Sequence, residues 1–331
     1  MSDAEGLLGR AIDGDRRALG RLLTLVERGG ASAVAVDRAL GARGPATRAH
    51  VVGITGAPGA GKSTLTGALL DVLVARHQRP AVLAVDPTSP MTGGAILGDR
   101  IRMDRTDATA FIRSVATRGA HGGLSASVPA MVRVLEGAGF DIVIVETVGV
   151  GQIELDIAAL ADTTVVVVTP GWGDAIQANK AGLLEIADVL VVNKADRPGA
   201  DDAVRDLERM LDLAPSSSDR PPVLCTVATS ATGIEELADV IGERATRVRT
   251  AGRGAADVVH RRVVAEVRAL VEREVAAAID AALDASASTL AEVEAGRLTP
   301  ADAAARILRA ISGRPTEAAS GSDVRREGDG P

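Results

Sequence analysis

Gly56-Ala57-Pro58-Gly59-Ala60-Gly61-Lys62-Ser63-Thr64 matches the phosphate-cradling pattern G-x-x-x-x-G-K-[ST] at every fixed position. The apolar run Val51-Val52-Gly53-Ile54-Thr55 before it reads as a buried strand, and Leu65 to Ala75 after it reads as a helix. That strand-to-helix context makes the stretch a nucleotide site. Glycines let the backbone turn its N–H groups toward a β-phosphate, Lys62 brings a cation to the β- and γ-oxygens, and the Ser63 hydroxyl is placed to ligate Mg²⁺. An ordinary glycine-rich turn would account for the glycines but not for Lys-Ser in register with them.

Working outward, short apolar runs at 51–55, 81–86, 111–116, 141–146, 163–169, 188–193 and 222–228 alternate with helical patterns. The expectation is an α/β fold of the P-loop NTPase type: a mostly parallel sheet flanked by helices, with ligands outside the carboxyl ends of the strands. Before it, Leu8 and Ile12, then Leu19, Leu22, Leu23 and Val26, share helical spacing over 4–28, and a second short helix follows over 31–42. Beyond 254 the strand signals stop. Val259, Val263, Val267, Leu270, Val271, Val275 and Ile279 form an apolar stripe on a long helix, and Thr299-Pro300 opens another. That stripe has to bury itself against the chain's own nucleotide domain or against a second copy. The domains expected are therefore 1–46, an N-terminal helical extension; 47–250, the phosphate-loop domain; 251–312, a C-terminal helical arm; and 313–331, a polar tail read as disordered.

Composition narrows the function. The net charge of -7 over 331 residues, with no basic stripe, argues against nucleic acid as a partner. No apolar run reaches the roughly 18–20 residues that span a bilayer, and no signal segment opens the chain, so no membrane role and a cytoplasmic location are expected. Cys225 is the one cysteine; it excludes an internal disulfide, and its place in Val223-Leu224-Cys225-Thr226-Val227 reads as a buried strand position.

Three further segments carry chemistry. Asp86, ending a buried strand, and Asp99 in the long polar segment after it are hard oxygen ligands suited to Mg²⁺. Glu146 ends the next buried strand three residues before Gly149, placed to sense metal and γ-phosphate or to orient the attacking water, while the Gly149 N–H can bond that phosphate. Asn193-Lys194-Ala195-Asp196 chooses the base, because a carboxylate at Asp196 accepts from both N1–H and the exocyclic amine of guanine, and adenine offers no such pair. GTP and GDP are therefore expected over ATP, with Ser230-Ala231 completing the base pocket. Asp174 and Lys180, in the glycine-rich segment after the strand at 163–169, suggest a further switch, with Trp172 as a contact residue. His121 has no metal-ligand spacing around it.

Together, GAPGAGKST (56–64), DPTSPMTGGAILGDRIRM (86–103), FIRSVATRGAHGGLS (111–125), ETVGVGQ (146–152), TPGWGDAIQANKAG (169–182) and NKAD (193–196) closely resemble the MeaB/ArgK family of P-loop GTPases. These are G-protein chaperones of adenosylcobalamin-dependent acyl-CoA mutases. His121 and Ile153 stand where Leu and Ser are expected. The resemblance implies a homodimer joined by its C-terminal arm, switches at 86–99, 146–152 and 171–182, and Asp174 and Lys180 as the residues coupling mutase binding to hydrolysis. Lys62, Glu146, Asp99 and Lys180 are then the catalytic set. The implied partner is an acyl-CoA mutase, usually methylmalonyl-CoA mutase, with the adenosyltransferase as a further candidate. A nickel-type metallochaperone would want His- and Cys-rich tracts, which four histidines and one cysteine do not provide. A kinase of a transport protein would want ATP, against which Asp196 argues. No residue is an obvious arginine finger, so slow intrinsic turnover is expected.

Overall fold

The computed structural model describes residues 3–43, 48–86, 110–116, 127–147, 153–171, 185–213, 220–250 and 253–312. All seven expected strands form: β1 (His50–Gly56), β2 (Pro80–Asp86), β3 (Phe111–Ala116), β4 (Ile142–Thr147), β5 (Thr163–Val168), β6 (Val189–Asn193) and β7 (Val223–Thr226). They make one parallel sheet in the order β3-β2-β4-β1-β5-β6-β7. A parallel sheet is covered on both faces, which is why its central strands are unbroken Val and Ile rather than alternating. Even-numbered residues of β1 and β4 such as Ile54 and Ile144 pack on α4 (Lys62–Ala75), and odd-numbered ones such as Val51, Val143 and Val145 pack on the other face. Glycine is required at Gly53, where a Cβ would fall 2.2 Å from a methyl of Ile157 in α6 (Ile153–Leu160).

The segment over 4–28 is two helices, not one. α1 (Asp3–Ile12) stops at Asp13 and Gly14, and Asp15 caps α2 (Arg16–Arg28) by accepting from the backbone N–H groups of Arg17 and Ala18. The break rotates Ile12 out of the apolar face, and it is exposed. With α3 (Gly30–Ala42) these helices bury Leu7, Leu8, Leu22 and Leu23 against α5 (Ser127–Gly137). On the edge strand, Arg113 reaches Thr24 and Glu27 of α2, so an ion pair as well as packing fixes the layer on the sheet.

Between β6 and β7 lies α7 (Ala200–Leu213), and beyond the strands follow α8 (Ile234–Thr250), α9 (Arg253–Asp284), α10 (Ala287–Glu294) and α11 (Pro300–Ser312). α10 was not foreseen from periodicity. Thr299 caps α11, with Pro300 as its first residue, as expected. The chain divides into a unit at 1–269 and a smaller one at 270–331. In the first, α9 docks through charge: Arg262 meets Glu136 and Glu266 meets Arg133, an exchange between two residues of α9 and two of α5. Its apolar stripe stays open, with Val263, Val267, Val271 and Val275 all about half exposed.

The amino ends of the central strands carry a buried ionic cluster. Asp162, just before β5, accepts from Arg48 at 2.5 Å and from the Val51 N–H at 2.8 Å, and lies 3.7 Å from Arg262. His50, the first residue of β1, bonds Thr163 at 3.0 Å. Burial pulls the His50 imidazole down to a pKa of about 4 despite the nearby Asp162 carboxylate, so it sits in the core neutral. Burial also lowers the Arg48 pKa and raises that of Glu266.

Candidate nucleotide site

The opposite ends of the same strands hold the site. β1 stops at Gly56 because no side chain fits there: φ is +139° and a Cβ would fall 2.1 Å from the Val167 carbonyl oxygen of β5. The loop that follows turns through Gly59 and Gly61, both at positive φ, and enters α4 at Lys62. Gly61 is fixed twice over, since a Cβ there would also meet the Asn193 amide nitrogen at 2.5 Å. Lys62 is buried, and its ammonium donates to the Gly56 and Ala57 carbonyls at 2.7 and 3.1 Å. Those carbonyls offset the cost of burying the charge and keep it over the loop. A fourteen-residue helix then points its N-terminus into the same space, where its dipole favours an anion.

Beneath the loop, the Ser63 hydroxyl donates to the Glu146 carboxylate at 2.5 Å. Glu146 is fully buried at the end of β4, opposite Ile54 in register. A hydroxyl and a carboxylate oxygen brought together at a helix N-terminus form the hard-oxygen donor set that Mg²⁺ accepts, so these residues fit the ion. Asp86 ends β2 beside them, where Ala84 pairs with Glu146 and Val85 with Thr147.

On the other flank, Asn193 is wholly buried and acts as a strut. Its amide donates to the Ala60 carbonyl at 2.8 Å, and its oxygen accepts from the Thr226 hydroxyl and the Ala228 N–H at 3.1 and 3.2 Å. Lys194 adopts φ +60°, a left-handed conformation that non-glycine residues rarely hold, and its ammonium donates to the Gly59 carbonyl at 2.6 Å. Asp196 follows at the surface. Ser230 and Ala231 form the neighbouring turn: the Ser230 hydroxyl bonds the Val227 carbonyl and Thr232, and Ala231 takes φ +56°. Gly233 closes it, where a Cβ would fall 2.2 Å from the Cys225 carbonyl.

The structure thus gathers Gly56, Gly59, Ala60, Gly61, Lys62, Ser63, Thr64, Glu146, Asn193, Lys194, Asp196, Ser230 and Ala231 at the carboxyl ends of β1, β4, β6 and β7. Asp99, Gly149, Asp174, Lys180, Trp172 and His121 lie outside the described residues. Cys225 corrects the sequence reading, being exposed. It sits on the edge strand β7, where Leu224 and Thr226 turn inward and Cys225 outward, and partial burial with the Asp201 and Glu236 charges raises its thiol pKa. Sequence reasoning missed Thr55, Thr147, Thr226 and Asp162. The available signal was a polar residue closing or preceding a run of Val and Ile.

No helix among the described residues is long and apolar enough to cross a membrane. Residues 19–284 match the family model for the methylmalonyl-CoA mutase-associated GTPase MeaB. A Pyrococcus horikoshii protein named as a GTPase is 44% identical over 325 residues, covering 95% of this chain and all of that one. A fused isobutyryl-CoA mutase of Nocardia farcinica is 44% identical over 204 residues, 60% of this chain but 19% of that protein. Among solved structures, a LAO/AO transport system kinase superposes with a TM-score of 0.67 at 30% identity, covering 93% of this chain and 97% of that one. A match across 266 residues, joined to a phosphate loop, a buried Ser-Glu pair and an Asn-Lys-Ala-Asp strand end in one parallel sheet, places the chain in the MeaB family of mutase-associated GTPases.

Proposed function

We propose that this chain hydrolyses GTP with Mg²⁺ as a chaperone of an adenosylcobalamin-dependent acyl-CoA mutase, gating cofactor loading and protecting the mutase. The observation that carries the chemistry is the Ser63-Glu146 bond beneath a complete phosphate loop. What supports the partner is the fused isobutyryl-CoA mutase, in which a region 44% identical to this one shares a chain with a mutase. A separate GTPase would then meet its mutase in trans. Methylmalonyl-CoA mutase is the first candidate, with the adenosyltransferase as a further contact.

The loop N–H groups and Lys62 hold the β- and γ-phosphates and stabilise charge as the terminal phosphoryl group leaves. Ser63 and Glu146, with Asp86 or Asp99, would hold Mg²⁺, which when bound neutralises phosphate charge. Asp196 reads guanine while Lys194 and Asn193 tie its strand end to the loop. The Gly149 N–H senses the γ-phosphate, and Asp174 and Lys180 couple turnover to the mutase. The exposed stripe of α9 is the surface on which a second copy would pair, making a cytoplasmic homodimer whose arm is 251–312, beside the extension at 1–46, the GTPase domain at 47–250 and the tail at 313–331.

The test is the hydrolysis rate of GTP, with ATP as control, for the protein alone and with cobalamin-dependent acyl-CoA mutases added one at a time. Acceleration by one mutase supports the reading and names the partner. GTP turnover indifferent to every mutase removes the chaperone role, and turnover of ATP alone removes the guanine assignment.

A further inference from the structure

One step beyond the Ile54-Glu146 pair, the Thr147 hydroxyl donates to the Thr55 hydroxyl at 3.2 Å between β4 and β1. Both threonines are wholly buried. The row continues outward, with Val85 of β2 opposite Thr147 and Val166 of β5 opposite Thr55, both equally buried. Across four strands the sequence therefore places Val, Thr, Thr, Val on one level. Threonine and valine share a shape, and two buried hydroxyls bonded to each other are roughly equivalent in stability to two methyls. Packing gives no reason for the central pair to be threonine.

Position gives one. Side chains alternate along a strand, so Glu146 faces α4 and Ser63 while Thr147 and Thr55 face the other side of the sheet, in line with Val51, Val143 and Val145. Thr55 is the residue before Gly56, where the phosphate loop begins, and Thr147 is the last residue of β4, directly after Glu146. The end of β4 is thus bonded to both flanks of the nucleotide loop, to Ser63 just after it on one face of the sheet and to Thr55 just before it on the other. We propose that Thr55 and Thr147 are positioning residues of the nucleotide site. Their bond locks the strand ends in register so that Glu146 is already set against Ser63 when nucleotide and metal arrive. The proposal rests on the GTPase reading. It assigns to the pair an effect on turnover and metal demand rather than on GTP capture, which belongs to the loop.

The test compares full-length wild type with Thr147→Val, Thr55→Val, the double valine variant and Thr147→Ser. The readouts are kcat and KM for GTP, the Mg²⁺ concentration giving half-maximal rate, and Tm. Thr147→Val is expected to lower kcat about tenfold and raise the Mg²⁺ requirement severalfold, with KM changed less than about threefold; it strands the buried Thr55 hydroxyl and so lowers Tm, which the double valine variant restores. The double variant should be no slower than the worse single one, because both remove the same bond. Thr147→Ser keeps the hydroxyl and loses a packed methyl, so it should keep kcat within about twofold while lowering Tm. Wild-type kcat in Thr147→Val, or a serine variant as slow as the valine one, overturns the proposal. So does a double valine variant whose kcat recovers to wild type along with its Tm. A wild type that does not hydrolyse GTP overturns the GTPase reading itself, whereas an active wild type with indifferent variants overturns only the pair.

Discussion

The two ends of β1 bury polar groups to a similar depth and spend them differently. At the amino end, Asp162 pairs with Arg48 and Arg262, Arg262 with Glu136, and His50 with Thr163, and the Val51 N–H donates to Asp162. At the carboxyl end, Lys62, Lys194 and Asn193 are turned onto the carbonyls of one loop, which leads into the N-terminus of α4. A cluster that closes on itself fixes where α9 and the sheet meet. A cluster that braces a glycine-rich loop at the N-terminus of a helix is built to receive an anion. Seven strand lengths of shared architecture thus separate into an end that holds and an end that acts.

The contrast breaks if damage at the holding end reaches the nucleotide. Asp162→Ala strands Arg48 and the Val51 N–H in the core and is expected to cost about 3–5 kcal/mol in urea unfolding, while GTP affinity of the folded protein stays within about twofold. Loss of affinity in proportion to stability would merge the two ends into one device. Lys62→Ala should do the reverse, weakening GTP binding about a hundredfold or more by calorimetry with little change in the urea midpoint. Unchanged affinity would remove the phosphate-loop assignment.

The pH dependence sharpens the same comparison. His50 takes up a proton near 6.5 when unfolded but only near 4 in the fold, so the unfolded chain binds more protons between those values. Stability is full above about pH 6.5 and is lost as pH falls toward 4, by about 3 kcal/mol over the window. In His50→Gln that part of the slope should vanish from urea midpoints taken at pH 7, 5.5 and 4.5; a slope equal to wild type would assign it elsewhere. The smallest expected effect is at Asp196→Asn, which should cut the preference for GTP over ATP about tenfold in competition binding. Retained selectivity would sink the base assignment.

Much of this was legible from particular residues. The Gly-Lys-Ser register and the run from Val51 to Thr55 located β1, the loop and α4, because a motif that needs a strand before it and a helix after it leaves few alternatives. Val-rich runs located the central strands β4, β5 and β6, because a parallel sheet is buried on both faces, and other apolar runs located β2, β3 and β7. Helix boundaries were less legible. Asp15 capping α2 split what periodicity joined, since a cap is a local hydrogen bond that a 3.6-residue period does not encode.

What the sequence determined by itself is the chemistry available: a phosphate loop, a strand-end carboxylate and a guanine-type Asn-Lys-Ala-Asp, each a short pattern whose meaning is carried by neighbours in the chain. Tertiary structure alone decided which of these meet. Ser63 touches Glu146 across 83 positions, and Asn193 braces Ala60 across 133, contacts that exist because strand order places β4 beside β1 on one side and β6 next but one on the other, beyond β5. It alone showed that Cys225 faces outward, that α9 docks by its charges and leaves its valines open, and that Thr55 and Thr147 share a bond. The physical reason is that composition and period fix which side chains seek burial, while the partner each one finds depends on register between strands far apart in sequence.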